Sequence, residues 1–122
     1  MSFAWTTPAL LAGAKTVTRR DWKPKYARWF QRGELVAAFD RSPRYGGKRV
    51  ATIRLTCDPY VENTADAPDS DFEAEGLAWM KREVKKIEGM FPDGFWNKWR
   101  RDAEDVWVIR FSLVREEEFD VP

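Results

Sequence analysis

An α+β domain, built as a small mixed β-barrel with helices inserted between its strands, is the fold class that three features of this chain predict. The first is a pair of strand-forming segments, Leu35-Val-Ala-Ala-Phe39 and Arg49 to Thr56, separated by a turn-rich stretch that holds Pro43, Gly46 and Gly47. In the second segment Val50, Thr52, Arg54 and Thr56 face one way and Ala51, Ile53, Leu55 and Cys57 the other. That is the period of a half-buried strand. The second feature is a helical stripe, Leu77, Met80, Val84 and Ile87. The third is a closing strand from Asp105 to Leu113, rich in valine, isoleucine and aromatics. Short strands around one core, with helices between them, suit a small barrel. At 122 residues, 34% charged and 43% hydrophobic, the span 1–122 reads as one soluble globular domain with its own core.

The remaining elements follow from local chemistry. Thr6 or Thr7 can cap a helix with Pro8 in its first turn, and Gly13 suits the position after its end, so 7–12 is a short helix. Thr16 to Arg19 favours a strand, and Asp21 to Arg32 an irregular segment or short helix. Asp58 to Asp69, with Pro59 and Pro68, reads as loop. Ser70-Asp-Phe-Glu73 is a capping box, Gly76 divides a one-turn helix from a longer one over Ala78–Met90, and Pro92 opens another short helix. Arg115 to Pro122 is an acidic tail. Leu35, Ala37, Phe39, Ile53, Leu55, Val106 and Val108, or their immediate neighbours, are expected in one core.

Composition narrows the chemistry. There is no histidine, so the commonest general base and metal ligand is missing, and Cys57 is the single cysteine. An internal disulfide and a Cys/His zinc site are therefore excluded, and Cys57 reads as a small apolar group at a strand end. No apolar run reaches the ~18 residues of a membrane span, and no secretory leader is visible. The expectation is a cytoplasmic monomer without membrane contact, metal or cofactor. Chemistry falls to lysine, threonine and carboxylates.

Charge is segregated although the net is only +1. Lys15, Arg19, Arg20, Lys23, Lys25, Arg28 and Arg32 stand against Asp21 alone, and Arg41, Arg44, Lys48, Arg49 and Arg54 continue the run. From Asp58 to Glu75 the sign reverses, with seven acids and no base. Trp22, Tyr26, Trp29, Phe30 and Tyr45 are interleaved with the basic residues, the pairing that base stacking and phosphate contact require. Tryptophans at this spacing are equally suited to a core. Within Lys15-Thr16-Val17-Thr18-Arg19-Arg20, a strand or tight turn can aim the Lys15 ammonium and the Thr18 hydroxyl into one cleft, with Arg19 and Arg20 lowering the lysine pKa. A solvated strand edge satisfies the same residues.

Leu10-Leu-Ala-Gly-Ala-Lys-Thr-Val-Thr-Arg-Arg20, Gly33-Glu-Leu-Val, Ala74-Glu75-Gly76 before a helix, and the closing Val106-Trp-Val-Ile-Arg-Phe111 resemble the ASCH domain family over nearly the whole chain. The resemblance implies a PUA-like barrel related to RNA-binding domains. One bacterial branch hydrolyses the amide of N(4)-acetylcytidine with a lysine, a threonine and a glutamate, which fall on Lys15, Thr18 and Glu75. Lys15 would take the Thr18 proton, Glu75 would orient Lys15 or shuttle the proton, and Arg19 or a backbone amide would hold the oxyanion. On a helix continuous from Ser70, Glu75 would point away from the apolar stripe at about 100° per residue.

This chain departs from the small amidohydrolases in its length, in its Trp-rich and basic segments 21–32 and 41–48, and in Ala14, where a charged residue is common. The expected function is binding of a nucleobase, nucleotide or RNA in a basic cleft, with Arg19, Arg20, Trp22, Arg28, Arg44 and Tyr45 as contacts. Hydrolysis of a modified nucleoside is one outcome. A non-catalytic RNA module, with Lys15, Arg19 and Arg20 on phosphates, is a second. A metal-assisted ribonuclease using Asp66, Asp69 and Asp71 is a third.

Overall fold

The computed structural model describes residues 1–115, so the acidic segment expected at 115–122 lies almost wholly outside it. Its centre is β5 (Asp105–Val114), the longest strand. β1 (Val17–Arg20) pairs antiparallel with it, Val17 opposite Arg110 and Arg20 opposite Trp107. On the other edge β3 (Arg49–Leu55) sets Thr52 opposite Val114 and Leu55 opposite Phe111. β4 (Tyr60–Asn63) continues along that edge, with Tyr60 opposite Val108. β2 (Leu35–Phe39) pairs outward on β3 and completes a five-stranded antiparallel sheet.

The α+β expectation holds, but among the described residues the sheet is not closed into a hydrogen-bonded barrel. Its strand order ends at β1 and β2, and the start of the chain occupies the gap between them. Phe39 N donates to Met1 O and Phe3 N to Phe39 O, both at 2.9 Å, while the β1 side is met by a side chain, Arg20 Nη2 donating to Ser2 O at 2.5 Å. One backbone bridge and one guanidinium do not make a ladder.

Beneath the sheet Phe3, Leu10, Ala38, Ile53, Leu55, Ile109 and Phe111 form one core cluster. The β2 face was expected to be Leu35, Ala37 and Phe39; the structure buries Ala38 instead, with Val36 packed beside it, and leaves Leu35 46% exposed. Register explains the reversal. Val36 lies opposite Ile53 and Ala38 opposite Ala51, and directly opposed residues share a face.

A second cluster, Ala9, Ala67, Leu77, Met80, Ile87 and Trp96, packs helices on the other side. They are α1 (Thr7–Leu11), α3 (Asp71–Ala74), α4 (Leu77–Arg82) and α5 (Pro92–Asp102). A short α2 (Pro24–Ala27) lies in the basic segment. Three expectations fail here. Asp58–Asp69 is not all loop, because β4 and a 3-10 turn at Thr64–Asp66 lie within it; Pro59 precedes the strand and removes no ladder donor. The helix expected over Ala78–Met90 stops at Arg82, and Val84 (φ 53°) turns the chain out of helical geometry, 78% exposed. Ile87 regains the core through paired backbone bonds with Met90 at 2.8 Å. Ser70 makes no side-chain cap bond, so the capping box is not formed.

Candidate active site

Lys15 sits between the turn after α1 and the start of β1, and backbone bonds hold it there. Its N–H donates to Ala9 O at 3.3 Å, and the next residue, Thr16, donates to Ala74 O at 2.7 Å. Lys15 and Glu75 thereby form an isolated antiparallel bridge. Gly76 makes the approach feasible. Its φ is +86°, and a Cβ there would stand 2.7 Å from Ala9 Cβ and 3.2 Å from Lys15 Cβ. Gly76→Ala is expected to cost about 2–5 kcal/mol, the sum of left-handed strain and overpacking, as a fall in urea midpoint at unchanged slope. Gly76 also breaks the helix at Glu75, so the angular argument for Glu75 does not apply. Its side chain turns to Lys15 and Arg19 and is 13% exposed.

Lys15 is 2% exposed, and its Nζ donates to Glu75 Oε1 at 2.8 Å and Glu75 O at 3.0 Å. Burial pushes the ammonium below its ordinary 10.5; the Glu75 carboxylate opposes that shift, and Arg20 and Arg19 reinforce it. A neutral amine has two N–H donors. In that form both would go to Glu75 and one lone pair would be left.

Arg19 does not do what was expected of it. Opposite Val108 in the β1–β5 ladder, it faces the helical layer, its guanidinium 5.4 Å from the Trp99 ring centre. Nη1 donates to Glu75 Oε2 at 2.7 Å, Nε and Nη2 to Glu62 Oε1 at 3.2 and 2.8 Å, and Nη2 also to Asp71 Oδ2. Asp71 in turn accepts from Arg110 Nη1 at 3.2 Å and Nη2 at 2.8 Å, and Arg110 Nε donates to the Tyr60 hydroxyl at 2.9 Å. Burial opposes the charge on Arg19, but Glu75, Asp71 and Glu62 outweigh it and hold it firmly protonated. With its side chain 2% exposed and three carboxylates around it, Arg19 is neither a phosphate contact nor an oxyanion donor.

Thr18 and Arg20 lie opposite Ile109 and Trp107, on the sheet-core face. Among the described residues Thr18 makes no hydrogen bond to Lys15; its Oγ1 accepts from Arg20 Nε at 3.2 Å. Arg20 contacts Thr18 and acts on Lys15 only through its charge, which lowers the lysine pKa. Its guanidinium further covers the Phe3 ring at 5.2 Å, so it too is committed internally.

The other expected contacts are elsewhere. Trp22 is half-buried, stacked on Phe30 at 5.0 Å, and serves packing. Arg28 is exposed just beyond α2, and Arg44 and Tyr45 form an exposed 3-10 turn in the connection between β2 and β3. None of the four joins the hydrogen bonds of Lys15 and Glu75 or lines the cavity beside Glu75. That cavity, about 70 Å³, is lined by Arg19, Glu75, Leu77, Phe95, Trp96 and Trp99. It is well under the ~300–1,000 Å³ of sites that enclose a whole drug-sized ligand. Sequence reasoning missed Glu62, Arg110 and the α5 aromatics, and read Asp71 only as a candidate metal ligand. The signal was the acidic run 58–75: a block of acids with no internal partner meets the basic strand.

Two of the three carboxylates named for a metal-dependent reaction are paired with arginines. Asp71 is paired with Arg19 and Arg110 and Asp69 with Arg100, and among the described residues no three His, Cys, Asp or Glu side chains gather as a metal site. No helix of the described residues is long and apolar enough to cross a membrane.

No protein-family model matches the chain, and no curated protein matches it significantly. Among solved structures it is similar to the crystal structure of protein EF3133 from Enterococcus faecalis V583, assigned to the family model DUF984. The TM-score is 0.54 with 18% identity, over 88% of this chain and 68% of that one. At that identity the likeness speaks for the fold alone.

Proposed function

We propose that this chain is a PUA-like domain of the ASCH type that hydrolyses the amide of an N(4)-acylated cytidine. The observation that carries the reading is Lys15: a lysine buried to 2% exposure, held below its ordinary pKa, with Glu75 on both of its donors. Structural lysines keep their charge in water; a buried one with a lowered pKa, hydrogen-bonded to a glutamate that lines a cavity, is suited to proton transfer. The substrate class comes from the resemblance around Lys15, Thr18 and Glu75. The aromatic wall of Phe95, Trp96 and Trp99 suits a flat base edge with its acyl-amide.

The proposed step requires the Thr18 hydroxyl, which lies on the sheet-core face and accepts from Arg20, to reach the Lys15 lone pair when substrate binds. Thr18 Oγ1 attacks the acyl carbonyl while Lys15 takes its proton. Arg20 Nε, already donating to Oγ1, orients that oxygen for attack. Collapse of the tetrahedral intermediate breaks the C–N bond, and Lys15 returns its proton to the departing exocyclic amine. Water then attacks the acyl-threonine ester, its proton passing through Lys15, and releases the carboxylic acid.

The reading in which Lys15, Arg19 and Arg20 bind RNA phosphates lacks support, because all three are engaged with internal partners. The deciding experiment incubates purified protein with N(4)-acetylcytidine and separates cytidine by chromatography. Cytidine is expected from the wild type. Thr18→Ala is expected to stop release, and mass spectrometry of the quenched wild type to show the acylated threonine. A Thr18→Ala variant of undiminished rate removes the nucleophile from this scheme, and a wild type that releases nothing removes the function.

A further inference from the structure

We infer that the α2 segment carries a second site, separate from Lys15 and Glu75, at which a base of single-stranded nucleic acid stacks between Tyr26 and Trp29 while neighbouring phosphates meet Lys23, Lys25, Arg28 and Arg32. Trp29 is 71% exposed and Tyr26 48%, an unusual cost for the two most interface-prone aromatic types. Together with Lys23 and Lys25 they line a hollow of about 220 Å³. The support beneath is rigid. Trp22 and Phe30 stack at 5.0 Å and pack against the sheet core, and Tyr26 meets both edge-on at 4.9 and 5.4 Å. Tyr26 is thus anchored on one side and open on the other.

Charge selects the occupant. Lys23, Lys25, Arg28 and Arg32 are all exposed, and among the described residues none forms an ion pair. The internal network thus binds Lys15 and Arg19 and leaves these four cations available. Available cations beside open aromatic faces match a polyanion that carries flat apolar rings. A duplex hides those rings in its own stack. The site does not depend on the hydrolytic reading, so the two stand or fall separately.

Fluorescence anisotropy of a labelled short oligouridylate with the full chain tests it across a range of sodium chloride. Affinity is expected to fall linearly on a log–log salt plot. Lys23→Gln with Lys25→Gln is expected to reduce that slope by about 1.4, two phosphates at ~0.7 each. Trp29→Ala is expected to weaken binding about five- to 150-fold and leave the slope in place, since it removes a stacking face and no charge. Trp29 lies outside both core clusters, so that variant folds; circular dichroism verifies it. Lys15→Met, which removes the proposed base, is expected to bind normally. Undiminished binding by Trp29→Ala overturns the site, as does equal affinity for a duplex of the same length, or Trp29-dependent retention on anionic vesicles with no oligonucleotide binding.

Discussion

Lys15→Met is expected to lower kcat/KM for N(4)-acetylcytidine by about 10²–10⁴-fold, the usual contribution of a positioned general base, with far-ultraviolet circular dichroism unchanged. Methionine fills the same space without a charge, and Arg19 Nη1 still holds Glu75 Oε2, so the carboxylate is not stranded. Lys15→Arg is the complement: it keeps a cation but cannot accept a proton in this range, and turnover is expected to fail with it as well. The pH profile separates a base from a prop. If the neutral amine is the active form, kcat/KM rises with pH through the Lys15 pKa, on a limb below 10.5 because burial lowers it. Glu75 opposes that lowering, so Glu75→Gln is expected to move the limb of whatever activity remains toward lower pH. A limb that stays in place, or moves upward, shows that Lys15 is not the group titrating.

Strand-forming alternation makes β3 and β5 legible from their residues alone, and Gly76 marks a real break because only glycine tolerates its φ of +86° against Ala9. What escaped were features set by partners. The buried face of β2 depends on which residues oppose Ile53 and Ala51, a matter of register that a single strand does not carry. The end of α4 rests on Val84 and Glu88 in left-handed geometry, where neither residue type gives a stop signal. At the site, Lys15 and Glu75 are sixty positions apart, and only the family resemblance joined them. Arg19 was misread because its neighbours in sequence are cations, whereas its neighbours in space are Glu62, Asp71 and Glu75. The two segregated charge blocks read as a positive face suited to phosphate, balanced by an acidic flank. Lys15 and Arg19 instead join Glu62, Asp71 and Glu75 in one buried network, while the cations of the α2 segment stay exposed.

That network carries a large expected stability effect. Arg19→Met strips a cation from among Glu62, Asp71 and Glu75, whose side chains are 16%, 4% and 13% exposed. Removing one member of a buried ionic set leaves uncompensated charge, typically at a cost of about 3–5 kcal/mol, and guanidinium denaturation should show it as a lowered midpoint. The exposed Lys98–Asp102 pair is the internal control, worth about 0.3–0.5 kcal/mol as an i,i+4 helix pair, so Lys98→Ala is expected to be nearly silent. Acid adds a second signature. Burial alone would raise the Asp71 carboxyl, but Arg110 and Arg19 together bring it below its ordinary 3.8. A carboxyl with a depressed folded pKa stabilises fully above 3.8, and that contribution is lost as pH falls through the folded value. Without Arg19 the depression shrinks, so the acid-unfolding midpoint of Arg19→Met is expected to move up in pH. An Arg19→Met protein with wild-type stability at neutral pH and in acid would show that the four-way contact contributes no more than surface pairs do. Glu75 would then be held by Lys15 alone.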